Sequence, residues 1–269
     1  MDGYTIYARR LNNLPDKKNQ KEKDLDNRPI GVFDSGVGGL TVLREIIKEV
    51  PDENTVYFGD TERFPYGPKN LRDVRNFVFE AVGFLEKKDI KMLVIACNTG
   101  SVAALKELKQ TLKIPVIGVI EPGARTAVSN TKNKRVGVIA TKGTVESGAY
   151  KKEINKINSR IKTFSVAAPI LIEYIEKGIL TGEDLNEVIK SCLEPLLKHS
   201  IDVLVLGCTH FPLIEKQILE VSSNDFKVIS SAVETAKDVK KLLIEKSSKN
   251  PEVRQEVVRR FVESRMGGG

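Results

Sequence analysis

The chain alternates short, unbroken apolar runs with longer segments in which apolar residues recur every three or four positions. The short runs are typical of parallel strands buried on both faces, and the longer period is typical of amphipathic helices. Strands are predicted at 30–33, 55–58, 90–96, 116–120, 135–140, 163–167, 201–207 and 226–229. Helices are predicted at 40–50, 70–85, 101–113, 145–157, 181–199, 213–221 and 234–246. This alternation predicts an α/β fold with mainly parallel sheets.

Two of the predicted strand segments, Ile90–Thr99 and Ile201–His210, are nearly copies of each other. Each runs from an isoleucine through an apolar stretch and a small residue to a cysteine, Cys97 in one and Cys208 in the other. Ligands of open α/β sheets lie at the carboxyl ends of the strands, so both thiols are predicted to face one ligand. A lone buried cysteine usually only packs, but two in the same register, each before a helix, favour a functional pair.

The internal similarity extends beyond the cysteines. Asp34 and Thr141 follow similar strands 107 residues apart, and the two cysteines are 111 residues apart. This offset predicts two similar α/β domains related by pseudo-twofold symmetry, with an active site in the cleft between them. The first domain is assigned to residues 29–122 plus 211–245, and the second to residues 123–210.

The two ends of the chain differ from its middle. Residues 1–28 are polar and aperiodic, and they are predicted to form a disordered extension. Residues 246–269 are predicted to form a basic helix, beginning near Pro251, followed by a glycine tail. These two segments have net charges of +2 and +3, so they account for most of the net charge of +7.

Composition excludes some classes of function. With 269 residues, 41% hydrophobic and 29% charged, the chain has an ordinary globular composition. Its excess charge belongs mostly to the ends and no basic stripe alternates with aromatic residues, so nucleic-acid binding is not favoured. No apolar run is long enough for a membrane span and the polar amino terminus does not resemble a signal peptide, so a cytoplasmic location is expected.

The number and spacing of the cysteines limit the kinds of site that the chain is expected to contain. Three cysteines without a CxxC motif or histidine-rich spacing predict neither a disulfide framework nor a metal site. The third, Cys192, has the helical spacing of a core residue.

Two further segments are candidates for ligand binding. Asp34 and Ser35 begin DSGVGG, where glycines and a helix start expose backbone N–H groups that suit a carboxylate, although Asp34 alone could equally be a helix cap. The Pro- and Gly-rich loop TERFPYGPKN offers Tyr66 and the Gly67 backbone, and a rigid turn with a packed tyrosine is its structural alternative.

A pair of thiols on pseudo-symmetric strands suits inversion of a carbon stereocentre without a cofactor. Such a reaction needs a base on one face of the carbon and an acid on the other. A thiol acts as a base only as thiolate, and a position before a helix amino terminus lowers its pKa. Asp34 and His210 could relay protons to the sulfurs, and Glu176 could orient the histidine.

Six motifs in order, FDSGVGG, PYG after GDT, ACNTGS, EPG, ATKGTVESGAY and GCTHFPL, resemble glutamate racemases of the cofactor-independent aspartate/glutamate racemase superfamily. The resemblance covers about residues 29–245. It implies a two-domain α/β fold and interconversion of L- and D-glutamate by two cysteines, with no cofactor. It also implies a supply of D-glutamate for peptidoglycan of the bacterial cell wall, and a homodimer.

The resemblance assigns roles by position. Cys97 is similar to the thiol that acts on D-glutamate and Cys208 to the one that acts on L-glutamate, with Asp34, Glu176 and His210 as auxiliary acid and base groups. Substrate contacts are expected from Asp34, Ser35, Tyr66, Gly67, Asn98, Thr99, Thr209 and His210. Thr141 and Thr144 are also expected to contact the substrate, because they occupy the position in the second half that Asp34 and its neighbours hold in the first.

Some positions depart from the family pattern. Gly100 stands where the family often has alanine, Ser230 and Ser231 where an Asp-Ser pair is common, and Ala168 where a cysteine often precedes the proline. None of these positions is expected to touch the two thiols. Two alternatives stay open, namely a racemase of another acidic amino acid such as aspartate, and a binding or regulatory protein in which the thiols only pack.

Overall fold

A computed structural model describes residues 4–8, 26–223, 225–247 and 259–264. Its strands are β1 (Tyr4–Ala8), β2 (Ile30–Asp34), β3 (Thr55–Gly59), β4 (Met92–Ile95), β5 (Val116–Gly118), β6 (Arg135–Ala140), β7 (Lys162–Ala167), β8 (Val203–Gly207), β9 (Lys227–Ser230) and β10 (Arg259–Ser264). Its helices are α1 (Leu40–Glu49), α2 (Leu71–Glu86), α3 (Asn98–Thr111), α4 (Ile120–Asn130), α5 (Lys142–Glu146), α6 (Ala149–Ile157), α7 (Pro169–Glu176), α8 (Glu183–Leu197), α9 (Glu215–Val221) and α10 (Ser231–Ser247). Short 3-10 turns lie at Thr61–Arg63 and Phe211–Ile214.

The described strands form two sheets that share one arrangement of four strands. One sheet has the order β1-β10-β3-β2-β4-β5, and the other has the order β7-β6-β8-β9. Strands β2 to β5 in the first sheet therefore match β6 to β9 in the second, and within each set all pairs are parallel. We call the part containing β2 to β5 the first half and the part containing β6 to β9 the second half. The predicted α/β fold with two similar domains is confirmed.

Burial explains why the central strands form. Every residue of β2, β4 and β8 is buried, as expected for parallel strands with helices on both faces. Helices α2 and α3 pack against one face of the first sheet, and α7, α8 and α9 against one face of the second. A further cluster of buried apolar side chains joins the remaining faces of both sheets through α1, α4, α6 and α10. The halves thus share one apolar interior that places the carboxyl ends of β2, β4 and β8 near each other.

The predicted boundary at residue 211 is wrong for β9. This strand pairs in parallel with β8, so it completes the second sheet. This pairing satisfies backbone groups along the edge of β8 that β6 leaves open. The following helix, α10, returns to the first half, where Lys240 pairs with Glu49 of α1 at 3.0 Å.

Both chain ends also differ from expectation. Residues 259–264 form a strand parallel to β3 where a helix is predicted, and residues 4–8 pair antiparallel with that strand where disorder is predicted. The edge of β3 offers unpaired backbone groups, and the aromatic and β-branched residues in YTIYA and RRFVES favour strands. The rest of the predicted extension up to residue 25, and most of the predicted terminal helix, lie outside the described residues.

The predicted helix starts agree with the structure in part. The Asn70 side chain accepts a hydrogen bond from the backbone N–H of Arg72 and so caps α2, close to the predicted helix start at residue 70. Helix α8 instead begins after Gly182, whose φ of +117° favours glycine, and not at the predicted Thr181. Among the described helices, none is both long and apolar enough to cross a membrane.

Gly83 in the middle of α2 provides a test of helix stability. A methyl group there would meet no atom within 4 Å, so alanine costs no packing. We expect Gly83→Ala to raise the free energy of unfolding by about 0.5–1 kcal/mol, because alanine loses less backbone entropy in a helix. Urea unfolding of both proteins measures the difference, and an unchanged or lower value would contradict this account of α2.

Candidate active site

Cys97 follows β4 and forms the N-cap of α3. Its Sγ accepts a hydrogen bond from the Gly100 N–H at 3.3 Å and donates to Ser35 Oγ at 3.6 Å. The expectation that Gly100 touches neither thiol is therefore wrong. Burial raises the pKa of this thiol to about 12, and the nearby Asp34 carboxylate adds to the shift. The N–H and hydroxyl groups oppose the shift by stabilising the thiolate. Cys97 is therefore a neutral thiol, and the Gly100 N–H is directed at its sulfur.

Cys208 occupies the equivalent position after β8 in the second sheet. Its Sγ lies 3.7 Å from Nδ1 of His210, and Nε2 of the same imidazole lies 2.5 Å from Glu176 Oε1 at the end of α7. Burial is the main cause that raises the pKa of Cys208. The three side chains form a connected chain from the buried thiol to a carboxylate that is 35% exposed.

Both thiols line one small cavity between the two halves. Of the residues predicted to form the site, it is lined by Ser35, Tyr66, Gly67, Cys97, Asn98, Thr99, Thr141, Cys208, Thr209 and His210. Asp34, Thr144 and Glu176 do not line it. Thr144 and Glu176 contact Thr141 and His210, which do, and Asp34 accepts a hydrogen bond from Gly36 in the adjoining glycine turn. The structure thus brings the predicted residues of both halves together.

Asp34 lies behind the cavity and has no exposed surface. Its Oδ2 accepts hydrogen bonds from the N–H groups of Gly36 and Gly39, at 3.1 and 3.0 Å. Its Oδ1 has no hydrogen-bond partner among the described residues. Burial raises the pKa of Asp34 to about 6, although His210 and the N–H groups oppose the rise. The carboxyl group therefore changes charge close to neutral pH.

This shift predicts a pH-dependent stability. The pKa of Asp34 rises from 3.8 in the unfolded chain to about 6, so folding disfavours the ionised form and stability falls as pH rises through this window. Two pKa units correspond to about 3 kcal/mol. We expect the free energy of unfolding of the wild type, relative to Asp34→Asn, to decrease by about that amount between about pH 3 and pH 7. Urea unfolding at several pH values measures it, and parallel curves for the two proteins would contradict the shift.

Threonine hydroxyls and a glycine turn join the halves at the other side of the cavity. Thr99 Oγ1 and Thr141 Oγ1 lie 2.9 Å apart, and Thr141 Oγ1 donates to Thr144 Oγ1 at 2.9 Å. The backbone N–H of Gly143 donates to the carbonyl oxygen of Gly67 at 3.0 Å. These contacts place hydroxyl groups from α3 and α5 on the same side of the cavity, where they could bind a carboxylate.

Tyr66 is buried and held by a charged pair. Its hydroxyl donates to Asp60 Oδ2 at 2.5 Å, and Arg63 Nε donates to the same oxygen at 2.7 Å. Burial and the Asp60 carboxylate raise the pKa of Tyr66 far above its usual value. The phenol is thus neutral and fixed in orientation.

Sequence reasoning missed three residues that line the cavity, namely Phe64, Pro65 and Ile172. The first two lie in the loop already singled out for Tyr66, and the Phe64 ring lies 5.7 Å from the His210 ring. The density of Pro and Gly in that loop could have indicated them, whereas Ile172 resembles any apolar residue of an amphipathic helix. Within the described residues, no group of three or more His, Cys, Asp or Glu side chains could hold a metal ion.

Comparison with known proteins agrees with this architecture. Residues 30–239 match the family model described as Asp/Glu/Hydantoin racemase. A glutamate racemase of Oceanobacillus iheyensis is 48% identical over 218 residues, which cover 81% of this chain and 80% of the relative. A glutamate racemase structure from Bacillus anthracis has a TM-score of 0.79 at 43% identity and covers 86% of both chains. One from Francisella tularensis, in complex with D-glutamate, has a TM-score of 0.80 at 37% identity and covers 87% of both. The chain therefore belongs to the Asp/Glu/hydantoin racemase family, and it is a racemase enzyme.

Proposed function

We propose that this racemase interconverts L- and D-glutamate through the thiols of Cys97 and Cys208, without a cofactor. The observation that supports this most directly is the presence of both thiols, one from each sheet, on the same small cavity. Relatives at 48% identity are glutamate racemases, and a similar structure is a complex with D-glutamate. Glutamate is therefore favoured over aspartate as the substrate.

In the proposed reaction one thiolate removes the α-proton and the other thiol donates a proton to the opposite face of the carbon. With D-glutamate bound, Cys97 is the base and Cys208 the acid, and the roles reverse for L-glutamate. Each turnover thus exchanges the protonation states of the two sulfurs. Because burial disfavours both thiolates, the substrate ammonium group is expected to favour ionisation of the thiol that acts as base.

The surrounding residues are assigned supporting roles. His210 transfers protons to and from Cys208, and Glu176 orients the imidazole and stabilises its charged form. Asp34 serves as the auxiliary group of the first half, where its raised pKa suits proton transfer near neutral pH. Substrate carboxylates and ammonium are bound by Ser35, Tyr66, Gly67, Asn98, Thr99, Thr141, Thr209 and His210. Asp34 and Thr144, also expected as substrate contacts, do not line the cavity and support this set through Gly36 and Thr141.

The cellular role follows from this substrate. We assign the product D-glutamate to peptidoglycan synthesis, and hence to cell-wall formation and cell shape, in the cytoplasm. The active form is proposed to be a homodimer, which sedimentation of the purified protein tests.

The experiment that tests the proposal uses purified, dialysed protein with L-glutamate in heavy water and no added cofactor. Loss of the α-proton NMR signal and decay of optical rotation are followed together, with L-aspartate in a parallel reaction. Loss of both signals for glutamate, at least about tenfold faster than for aspartate, is the expected result, since pocket contacts separate similar substrates by about 10- to 200-fold. Glutamate that keeps its proton and handedness would contradict the proposal. Faster turnover of aspartate than of glutamate would show that aspartate is the preferred substrate.

A further inference from the structure

Tyr150 on α6 lies between the two cysteine segments and is 2% exposed. Its hydroxyl accepts a hydrogen bond from Asn98 Nδ2 at 2.9 Å, and Asn98 directly follows Cys97. Its ring packs on the other segment, since a methyl group at Gly207 would lie 3.0 Å from Tyr150 Cε2. Gly207 directly precedes Cys208. One side chain thus contacts the neighbour of each thiol.

A third contact fixes the direction of the hydroxyl. Tyr150 Oη lies 2.9 Å from Ser231 Oγ at the start of α10. Because the Asn98 amide donates to the phenol oxygen, the phenol proton is directed toward Ser231. Burial raises the pKa of Tyr150, so the phenol stays neutral. The amide nitrogen of Asn98 is therefore held toward Tyr150, and its carbonyl oxygen is held on the other side.

We propose that Tyr150 is a positioning residue that fixes the Asn98 amide and the separation of the two thiols. This inference rests on the proposed function, because it concerns the same cavity and the same pair of cysteines. Tyr150 does not line the cavity, so it acts through Asn98, which does. Its contacts join α6 of the second half, α3 of the first half and the start of α10.

A double-mutant cycle tests this role. Tyr150→Phe keeps the ring on Gly207 and removes the hydroxyl, and it is made in the wild type and in Asn98→Ala. Tyr174→Phe, the same change at a half-buried tyrosine of α7, is the matched control. We expect Tyr150→Phe to lower kcat/KM for L-glutamate about tenfold in the wild type and less than about twofold in Asn98→Ala, since one residue acting through another loses its effect when the other is removed.

The possible outcomes separate the role from general stability. Melting temperatures are measured for all variants, and Tyr174→Phe is expected to keep the wild-type kcat/KM. An equal loss of activity from Tyr150→Phe in both backgrounds, or no loss, would overturn the positioning role. A wild type that does not racemise glutamate would overturn the proposed function and this inference with it. An active wild type matched by Tyr150→Phe would overturn this inference alone.

Discussion

Cys97→Ala and Cys208→Ala are each expected to lower racemisation of glutamate by about 10³-fold or more, since a positioned acid or base contributes about 10²–10⁴. Both thiols are needed in each direction, because the sulfur that does not remove the proton must supply one to the opposite face. Both are buried on the same cavity. Initial rates from circular dichroism, in both directions, measure the loss.

Proton exchange without inversion distinguishes the two thiols. Cys97→Ala retains the base for L-glutamate, so slow deuterium incorporation into recovered L-glutamate is expected, while Cys208→Ala is expected to exchange D-glutamate instead. Cys192→Ala is the matched control, because this half-buried thiol lies on α8 and does not line the cavity. Full activity in either of the first two variants would show that one thiol is sufficient and would refute the two-thiol mechanism.

Gly38→Ala is expected to lower kcat/KM about 10²-fold, the usual consequence of displacing a catalytic group by about 1 Å. A methyl group at Gly38 would lie 2.4 Å from His210 Cε1 and 2.6 Å from Thr209 Oγ1. Such distances force the imidazole away from Gly38, and the contacts of His210 with Cys208 and Glu176 are then disturbed. Steady-state kinetics in both directions tests this expectation.

The control for Gly38→Ala is the same substitution at Gly83, where the added methyl group meets no atom within 4 Å. Gly83→Ala is expected to leave kcat/KM unchanged. If Gly38→Ala keeps full activity, then either His210 moves without cost or its position does not matter to the reaction. Imidazole NMR signals of the variant distinguish these two cases, because a displaced ring changes its chemical shifts.

The sequence was sufficient for the features that repeat. Unbroken apolar runs indicated the buried strands, and the matched registers of Cys97 and Cys208 placed both thiols at equivalent strand ends on one ligand site. This worked because parallel strands buried on both faces have a strong local signal, and because the carboxyl ends of such strands meet at one edge.

The sequence was insufficient to predict strand pairing and packing between segments that are distant in the chain. Whether the strand at 227–230 belongs to the first or second sheet depends on the open edge of β8, which no local pattern shows. Residues 259–264 are predicted as part of a helix because Val253, Val257, Phe261 and Val262 have helical spacing. Only pairing with the distant strand β3 makes this segment a strand. Ile172 was missed for a similar reason, since only the packing of α7 brings it to the cavity.

The return of the chain to the first half determines the order in which the protein is completed during synthesis. All four strands of the second sheet lie in one continuous segment, residues 135–230, so they leave the ribosome together. The first half instead is complete only after α10 packs on α1 and β10 pairs with β3, and both of these elements follow the second sheet in the chain. Domains usually fold amino-terminal first, but here the earlier-made half is the later one to be finished.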